Sequence, residues 1–545
     1  MSERCSICGS EKYGMANKAS EPEKSLSQTI INVQYINIHN ASGKVDAEDS
    51  TKVRTHVMQH ARRNTRHSPN LAMRPPRRSS QREIRAKATC TCGYQTAAVQ
   101  MMNARPQIQT MLSAGRYDPF LRLETGTVPT RYHELVDYNV HTVWTKIRSS
   151  EFAFAYARDW LNRAARNPIV LNMVLFTALT HLESNRGPLP FSGSKENIRL
   201  EQFQYKGEAL RGILDTLRNG NQLDSDELVQ SMLFLGMNET QDEEDPPDWS
   251  PFSAPLRNLQ WLEIYGVRKY HMAHVIAAEE IIKRRGGNRN IGAIGLPWCI
   301  ACSELIACAT TLDRPQHALL DPYGRDIEYR LLSTHSILAD SAYESQVAAH
   351  GLSYLEAGGL HDEFINVFLR MKDYSETVQI YENSSNIPEA LADNRNWVLH
   401  HLLSLPSPQH HDDMFLEDTR RMKHCYEACR LAALIYCIHV IFPTPRSLQP
   451  RQKLLSLLRP VIEEIDLLMA SREMVELVLW CVVIGGIAAL GQNQRPWFTG
   501  QLNILATILK IREWDEVRVI MKRFSWVDSA CDVEGERLFN QMEMQ

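Results

Sequence analysis

Cys299 and Cys302, in Trp298-Cys299-Ile300-Ala301-Cys302, are the residue types and spacing nearest to a reactive pair in this chain. A redox Cys-x-x-Cys needs a preceding strand and a helix N-terminus that stabilises the first thiolate. Here a Gly295-Leu296-Pro297 turn leads into a helix, with no βαβ pattern around it. The pair is therefore read as two cysteines on the core face of a helix. Histidines cluster at His400-His401, and at His410-His411 beside Asp412-Asp413. Metal ligation needs donors converging at about 2 Å, which adjacent residues of a Pro-rich loop do not supply, so a solvated loop is expected. Cys5 and Cys8, followed by Gly9, together with Cys90 and Cys92, make four thiolates, enough in number for one structural zinc, with His56 or His60 as substitute ligands. The second pair has one spacer residue and no apolar core nearby, so these four stay candidates and no metal site is assigned. Gly-rich phosphate loops, Gly-x-Ser-x-Gly elbows and His-Glu-x-x-His are all missing. The chain is read as a non-enzyme without a cofactor.

Charge points to a different chemistry. Between Lys52 and Lys87 stand eleven Lys or Arg against the single acid Glu83, a net of +10. Residues 1–51 carry −2, which leaves −12 on the rest of a chain whose total is −4. Arg62, Arg63, Arg66, Arg74, Arg77, Arg78, Arg82, Arg85 and Lys87 are candidates for neutralising DNA phosphates by counterion release. Arg77 and Arg78, next to Pro75 and Pro76, also read as a nuclear import signal. The plainer reading of the same residues is a solvated linker. No helix carries Arg, Asn or Gln at groove-facing spacing, so base readout is not specified. An acidic loop, Glu239 to Trp249, mixes carboxylates with an aromatic in the manner of activation segments, although most such loops are simply surface.

These groups need a frame to position them. With 43% hydrophobic and 23% charged residues, a 545-residue chain has the composition of a folded soluble protein. Residues 1–105 are rich in Ser, Arg, Pro and Asn and are read as a largely disordered arm. Within it, Ile30 to Ile38 alternates as an isolated strand would, and Val53 to Arg63 has the pattern of a basic amphipathic helix. Residues 106–545 show helical periodicity throughout, so the fold class expected is an all-α, multi-helix body behind the basic arm. Helices are predicted at Thr130–Arg148, Glu151–Ala165, Ile169–Glu183, Asn197–Arg218 and Ser225–Met237, then across Leu259–Arg285 and on through Leu305. Later ones are predicted at Tyr343–Gly351, Glu363–Tyr381, Trp397–Leu403, Lys423–Phe442, Leu454–Met469, Met474–Leu490, Pro496–Leu509 and Trp514–Phe524. The stretch Tyr426 to Pro445, YEACRLAALIYCIHVIFPTP, is apolar on two helical faces and belongs inside a larger body, with Glu427 and Arg430 paired at its start. The longest apolar run, Leu477 to Leu490, is 14 residues with Gly485 and Gly486 inside it, which reads as buried core and not as a membrane span. Residues 1–25 are polar and lack a secretory h-region. Cysteines scattered through apolar helical text suit reduced thiols in an intracellular compartment.

The body resembles the regulatory domain of fungal transcription factors, in the branch that often accompanies a binuclear zinc cluster. The pieces run in order: RTHVMQ from Arg54, GRYDPF from Gly115, KGEALRGILDTL from Lys206, DSDELVQSMLFL from Asp224, and His274 with Arg285-Gly286-Gly287. They continue through LLSLP from Leu402, YEACRLAALIY, WCVVIGGIAA from Trp480, RPWF from Arg495 and WDEVRVIMKRFSW from Trp514. The resemblance implies a nuclear transcription regulator whose helical body binds protein partners or an effector. The basic arm would then meet the import machinery and DNA, with no membrane involved. One departure counts against direct DNA reading. A zinc cluster takes six closely spaced cysteines, whereas only Cys5, Cys8, Cys90 and Cys92 precede the body. A non-DNA-binding helical scaffold or co-regulator of the same family is therefore the alternative, and a thiol-dependent enzyme comes third.

Overall fold

The computed structural model describes residues 130–185, 195–220, 223–239, 246–332, 351–408, 420–467 and 470–543, all within the compact unit Thr89–Gln545. Several sequence expectations lie outside these residues. They are the arm with its strand, basic helix and segment 52–87, the 105/106 boundary, Cys5, Cys8, Cys90, Cys92, His56 and His60. Arg62, Arg63, Arg66, Arg74, Arg77, Arg78, Arg82, Arg85, Lys87, the GRYDPF turn, 343–350 and His410 to Asp413 lie outside as well.

Among the described residues the body is all-α, with no strand beyond one isolated bridge between Leu320 and Asp326. It holds two hydrophobic cores. The first is built by α1 (Thr130–Tyr138), α2 (Trp144–Ile147), α3 (Ser150–Ala164), α4 (Pro168–Ser184), α5 (Lys195–Asn219), α6 (Asp226–Met237), α7 (Leu262–Tyr265) and α8 (Met272–Arg284). Then α9 (Leu296–Thr311) leads to the second core, of α10 (Ser353–Ala357), α11 (Asp362–Tyr381), α12 (Glu389–Ser404) and α13 (Arg420–Tyr436). It is completed by α14 (Leu448–Glu463), α15 (Arg472–Ala488), α16 (Arg495–Leu509), α17 (Trp514–Met521) and α18 (Asp528–Glu543).

Side chains mark the helix starts as sequence rules require. Ser149 accepts from the Phe152 amide, Asn167 from Ile169 ahead of Pro168, Ser225 from Leu228 and Ser471 from Met474. Each satisfies one of the four orphan amide donors at its N-terminus. Glu513 and Glu516 form a reciprocal capping box on α17. At the other end of α8, the Gly287 amide reaches the Ile282 carbonyl at 2.9 Å, a glycine stop that closes the last turn.

The doubly apolar segment is the centre of the second core. From Cys425 to Phe442 nearly every apolar side chain is at most 3% exposed, and Glu427 holds Arg430 at 2.7 Å. Helix α15 is buried on all sides from Met474 to Ala488, and no described helix is long and apolar enough to cross a membrane. Several elements differ from the sequence reading, four of them clearly. Leu259–Arg285 is not continuous: Gln260 and Trp261 take left-handed backbone angles, and the chain breaks between α7 and α8. Helix α12 starts at Glu389, eight residues before the predicted Trp397, because its polar first turns are buried by tertiary contacts. Helix α14 ends at Glu463 instead of Met469. Helix α18 was not expected, since only Ala530, Cys531, Leu538 and Phe539 of its polar text reach the core.

Candidate functional site

Helix α9 belongs to both cores. Leu296 and Ile300 pack into the first, whereas Trp298, Ala301, Leu305 and Cys308 pack into the second. Its N-terminus is set by Gly295, whose φ of +81° suits glycine, and an added Cβ there would sit 2.5 Å from the Tyr156 ring. Beside this shared helix lies a cavity of about 110 Å³ between the cores. Trp144, Tyr156, Phe234 and Tyr265 wall it from the first core, and Leu262, Trp298, Ile306 and Phe442 from the second. At roughly 10–15 Å³ per water position, it has room for several waters or a small organic molecule.

Both walls carry a π-helical turn. One, Asn139–Val143, interrupts the run from α1 to α2, and the other, Cys437–Ile441, ends α13. Such turns widen the helix by one residue and recur at functional sites. Here Asn139 and Val143 from the first and Phe442 just past the second face the cavity. The inserted turn also buries His439, whose Nδ1 lies 2.9 Å from the Ser250 hydroxyl and whose pKa burial pushes down to about 3.

Arg395 and Asn396 of α12 join Asn139, Thr177, Asn238, Gln260 and Ser303 in the polar part of the lining. Asp393, Asn394, Arg395 and Asn396 are all buried, at 8, 0, 3 and 1% exposure, although their composition is that of a surface turn. Arg395 spans the inter-core region. Its Nη1 donates to the Leu259 carbonyl at 2.8 Å, its Nη2 to Gln260 Oε1 at 2.8 Å, and Nε and Nη2 to Asn396 Oδ1 at 3.1 and 3.0 Å. The guanidinium also lies over the Phe442 ring, 4.7 Å from its centroid. Burial lowers the Arg395 pKa, yet an arginine stays charged in a protein. No described carboxylate pairs with it; the neighbouring Asp393 is held by Arg148. Gln260 is fixed in turn. Its Oε1 receives both Arg395 and Asn396 Nδ2, which determines the amide orientation and leaves Nε2 without a protein acceptor. The Trp298 indole N–H has no protein acceptor either.

The sequence candidates fall as follows. Cys299 and Cys302 are on α9 and line the cavity, half-buried, as the helix-face reading expects. Burial pushes the Cys299 thiol up to about 12 and that of Cys302 higher still, so neither is a thiolate near neutral pH. His400 and His401 are not in a solvated loop. They lie in α12, partly buried, with His401 stacked on Trp397 at 3.7 Å and His400 Nε2 at 3.1 Å from the His317 carbonyl. The predicted helix Trp397–Leu403 already held both, and it prevails over the loop expectation drawn from nearby prolines. No group of three or more His, Cys, Asp or Glu suited to a metal occurs among the described residues. At the acidic loop, the described end is tied down: Asp248 accepts from the Leu448 amide at 2.9 Å, and Arg451 lies over Trp249. Sequence reasoning missed Arg395, Asn396 and Gln260. The available signal was the run Asp393-Asn394-Arg395-Asn396 between apolar residues, which becomes informative only once it is known to be inside a helix.

The described residues thus define an all-α body with a partly polar cavity between two cores. A family model described as fungal specific transcription factor domain matches residues 137–524, and the chain belongs to that family of transcription regulators. No curated protein and no solved structure matches the chain.

Proposed function

We propose that this chain is a nuclear transcription regulator that works by binding, not catalysis, and that the cavity between its two cores is where an effector acts. The cavity carries this reading, because its walls come from both cores and from the helix they share. A molecule seated there touches both sets of helices at once and stabilises their present arrangement by mass action. Protein partners would then read the surface that this arrangement presents. The basic segment 52–87 supplies the import signal and non-specific DNA attraction, through Arg77, Arg78 and their neighbours. The described thiols are all held protonated by burial, which supports a binding role.

Tagged full-length chain, compared with a version lacking residues 52–87, tests this reading by nuclear accumulation and genome-wide chromatin occupancy. Nuclear enrichment and discrete chromatin peaks that both depend on the segment are expected. A chain that stays cytoplasmic and binds no duplex DNA at low salt would sink the reading. Only four cysteines precede the body, which favours a second reading as a co-regulator without direct DNA contact. In that case chromatin peaks persist without the segment whenever a separate import signal is fused.

A further inference from the structure

The chemistry of the cavity specifies the class of its ligand, and this inference rests on the effector reading above. We infer that the cavity binds a small monocarboxylate with an apolar body, its carboxylate meeting the Arg395–Gln260–Asn396 cluster and its body lying among the aromatic walls.

Three observations support this class. First, charge: Arg395 is buried with no carboxylate partner, and the nearest acid in its field, Asp393, already pairs with Arg148. A buried guanidinium without a direct carboxylate partner is expensive, and the field of Asp393, neutral acceptors and an aromatic face offset only part of that cost. Second, hydrogen-bond balance: of the five N–H groups of Arg395, four bonds are accounted for, and one Nη1 hydrogen remains. Both Gln260 Nε2 hydrogens and the Trp298 indole N–H also have no protein acceptor. Among the residues lining the cavity, the buried atoms without a partner are donors, so the complementary ligand brings acceptors. A carboxylate does this, whereas an amine would add charge of the wrong sign. Third, shape: beyond the polar cluster the walls are Trp144, Tyr156, Phe234, Tyr265 and Trp298, which favour an apolar body over a second charge.

The backbone agrees. Gln260 and Trp261 are held at φ of +55° and +59°, left-handed conformations that disfavour a non-glycine residue. They are locked there by the bonds from Arg395 and by the Trp261 indole N–H donating to the Val143 carbonyl at 3.0 Å. The donors of Gln260 are therefore set in place before any ligand arrives.

The test is calorimetric titration and thermal shift on the purified full-length chain with phenylacetate, octanoate, neutral phenylacetamide and the phenethylammonium cation. At least one carboxylate is expected to raise Tm, with phenylacetate favoured over phenylacetamide by about tenfold or more. The cation should not bind. Ser303→Leu, which fills the cavity, should abolish the shift. Arg395→Gln should erase the preference for carboxylate over amide. Should that variant fold poorly, Trp298→Phe keeps the shape, removes one donor and should weaken carboxylate binding several-fold. Equal binding of phenylacetate and phenylacetamide, both lost in Ser303→Leu, would overturn the carboxylate class while leaving an effector cavity. No shift with either carboxylate through the millimolar range would overturn the inference outright and mark the cavity as a solvent pocket. Carboxylate binding by a chain that never occupies chromatin would uphold the inference and defeat the functional reading instead.

Discussion

Arg148, in the turn between α2 and α3, pairs with Asp393 at the start of α12, joining the two cores across 245 residues of sequence. Both side chains are nearly buried, at 7 and 11% exposure, and Arg148 also reaches Glu389. The pair sits two residues from Arg395, so the element that supplies the cavity's cation is anchored to the opposite core by its own neighbour. Removing one partner of a buried pair strands the other charge. Asp393→Leu is expected to cost about 3 kcal/mol in urea unfolding. The double variant Arg148→Met with Asp393→Leu should recover much of that loss. Simple additivity of the two single losses would show that the pair is not coupled.

Thiol chemistry provides a second prediction. Burial pushes Cys299, Cys308 and Cys425 up to about 12. At pH 8 a thiol of that pKa is ionised to the order of one part in ten thousand. In native protein these three should resist iodoacetamide over hours, and react promptly in urea, as read by peptide mass spectrometry. Fast labelling of Cys299 in the native state would contradict its burial.

A third prediction concerns acid. Burial pushes His181 and His439 down to about 3, and His274 and His401 down to about 4. Each folded-state value lies below the ordinary 6.5, so between these limits the unfolded chain binds more protons. The stability these neutral rings contribute is complete above pH 6.5 and drains away as pH falls. Each withdraws up to about 1.4 kcal/mol per pH unit. His317 acts with the opposite sign: burial opposes its charge, but Glu279 at 2.9 Å outweighs burial and raises its pKa. Its contribution is present below the unfolded value and is lost as pH rises through the raised one. With five depressed histidines, His400 among them, against this one, urea midpoints should fall from pH 6.5 to pH 5. His439→Gln should flatten that slope, and an unchanged slope would contradict the assignment.

The fourth prediction is steric. Helix α15 carries Gly485 and Gly486 in the middle of the second core. A Cβ on Gly485 would sit 2.4 Å from Phe498, and one on Gly486 2.4 Å from Leu538. Helical Gly→Ala normally stabilises by about 1 kcal/mol. Here overpacking should reverse the sign, and Gly485→Ala is expected to lower stability by about 1–3 kcal/mol in thermal unfolding. A stabilised variant would show that α16 yields easily.

Most of the helices were legible in the sequence because local rules govern them. Apolar spacing, the Ser and Asn caps and the glycine stop after α8 are read within a few residues of one another. The double-sided apolarity of Tyr426 to Pro445 was enough to place it in a core, and the ordered motifs were enough to indicate the family. The cavity was not legible, for a physical reason. Its polar cluster joins Arg395 to Gln260 across 135 residues, and a polar run such as Asp393 to Asn396 has the local pattern of a surface turn until a partner segment covers it. The same holds for the left-handed backbone at Gln260 and Trp261, which tertiary bonds impose against local preference. Local pattern determined which segments are helices and which of their faces are apolar. Packing of two cores against one shared helix decided where a buried charge stands without a direct carboxylate partner.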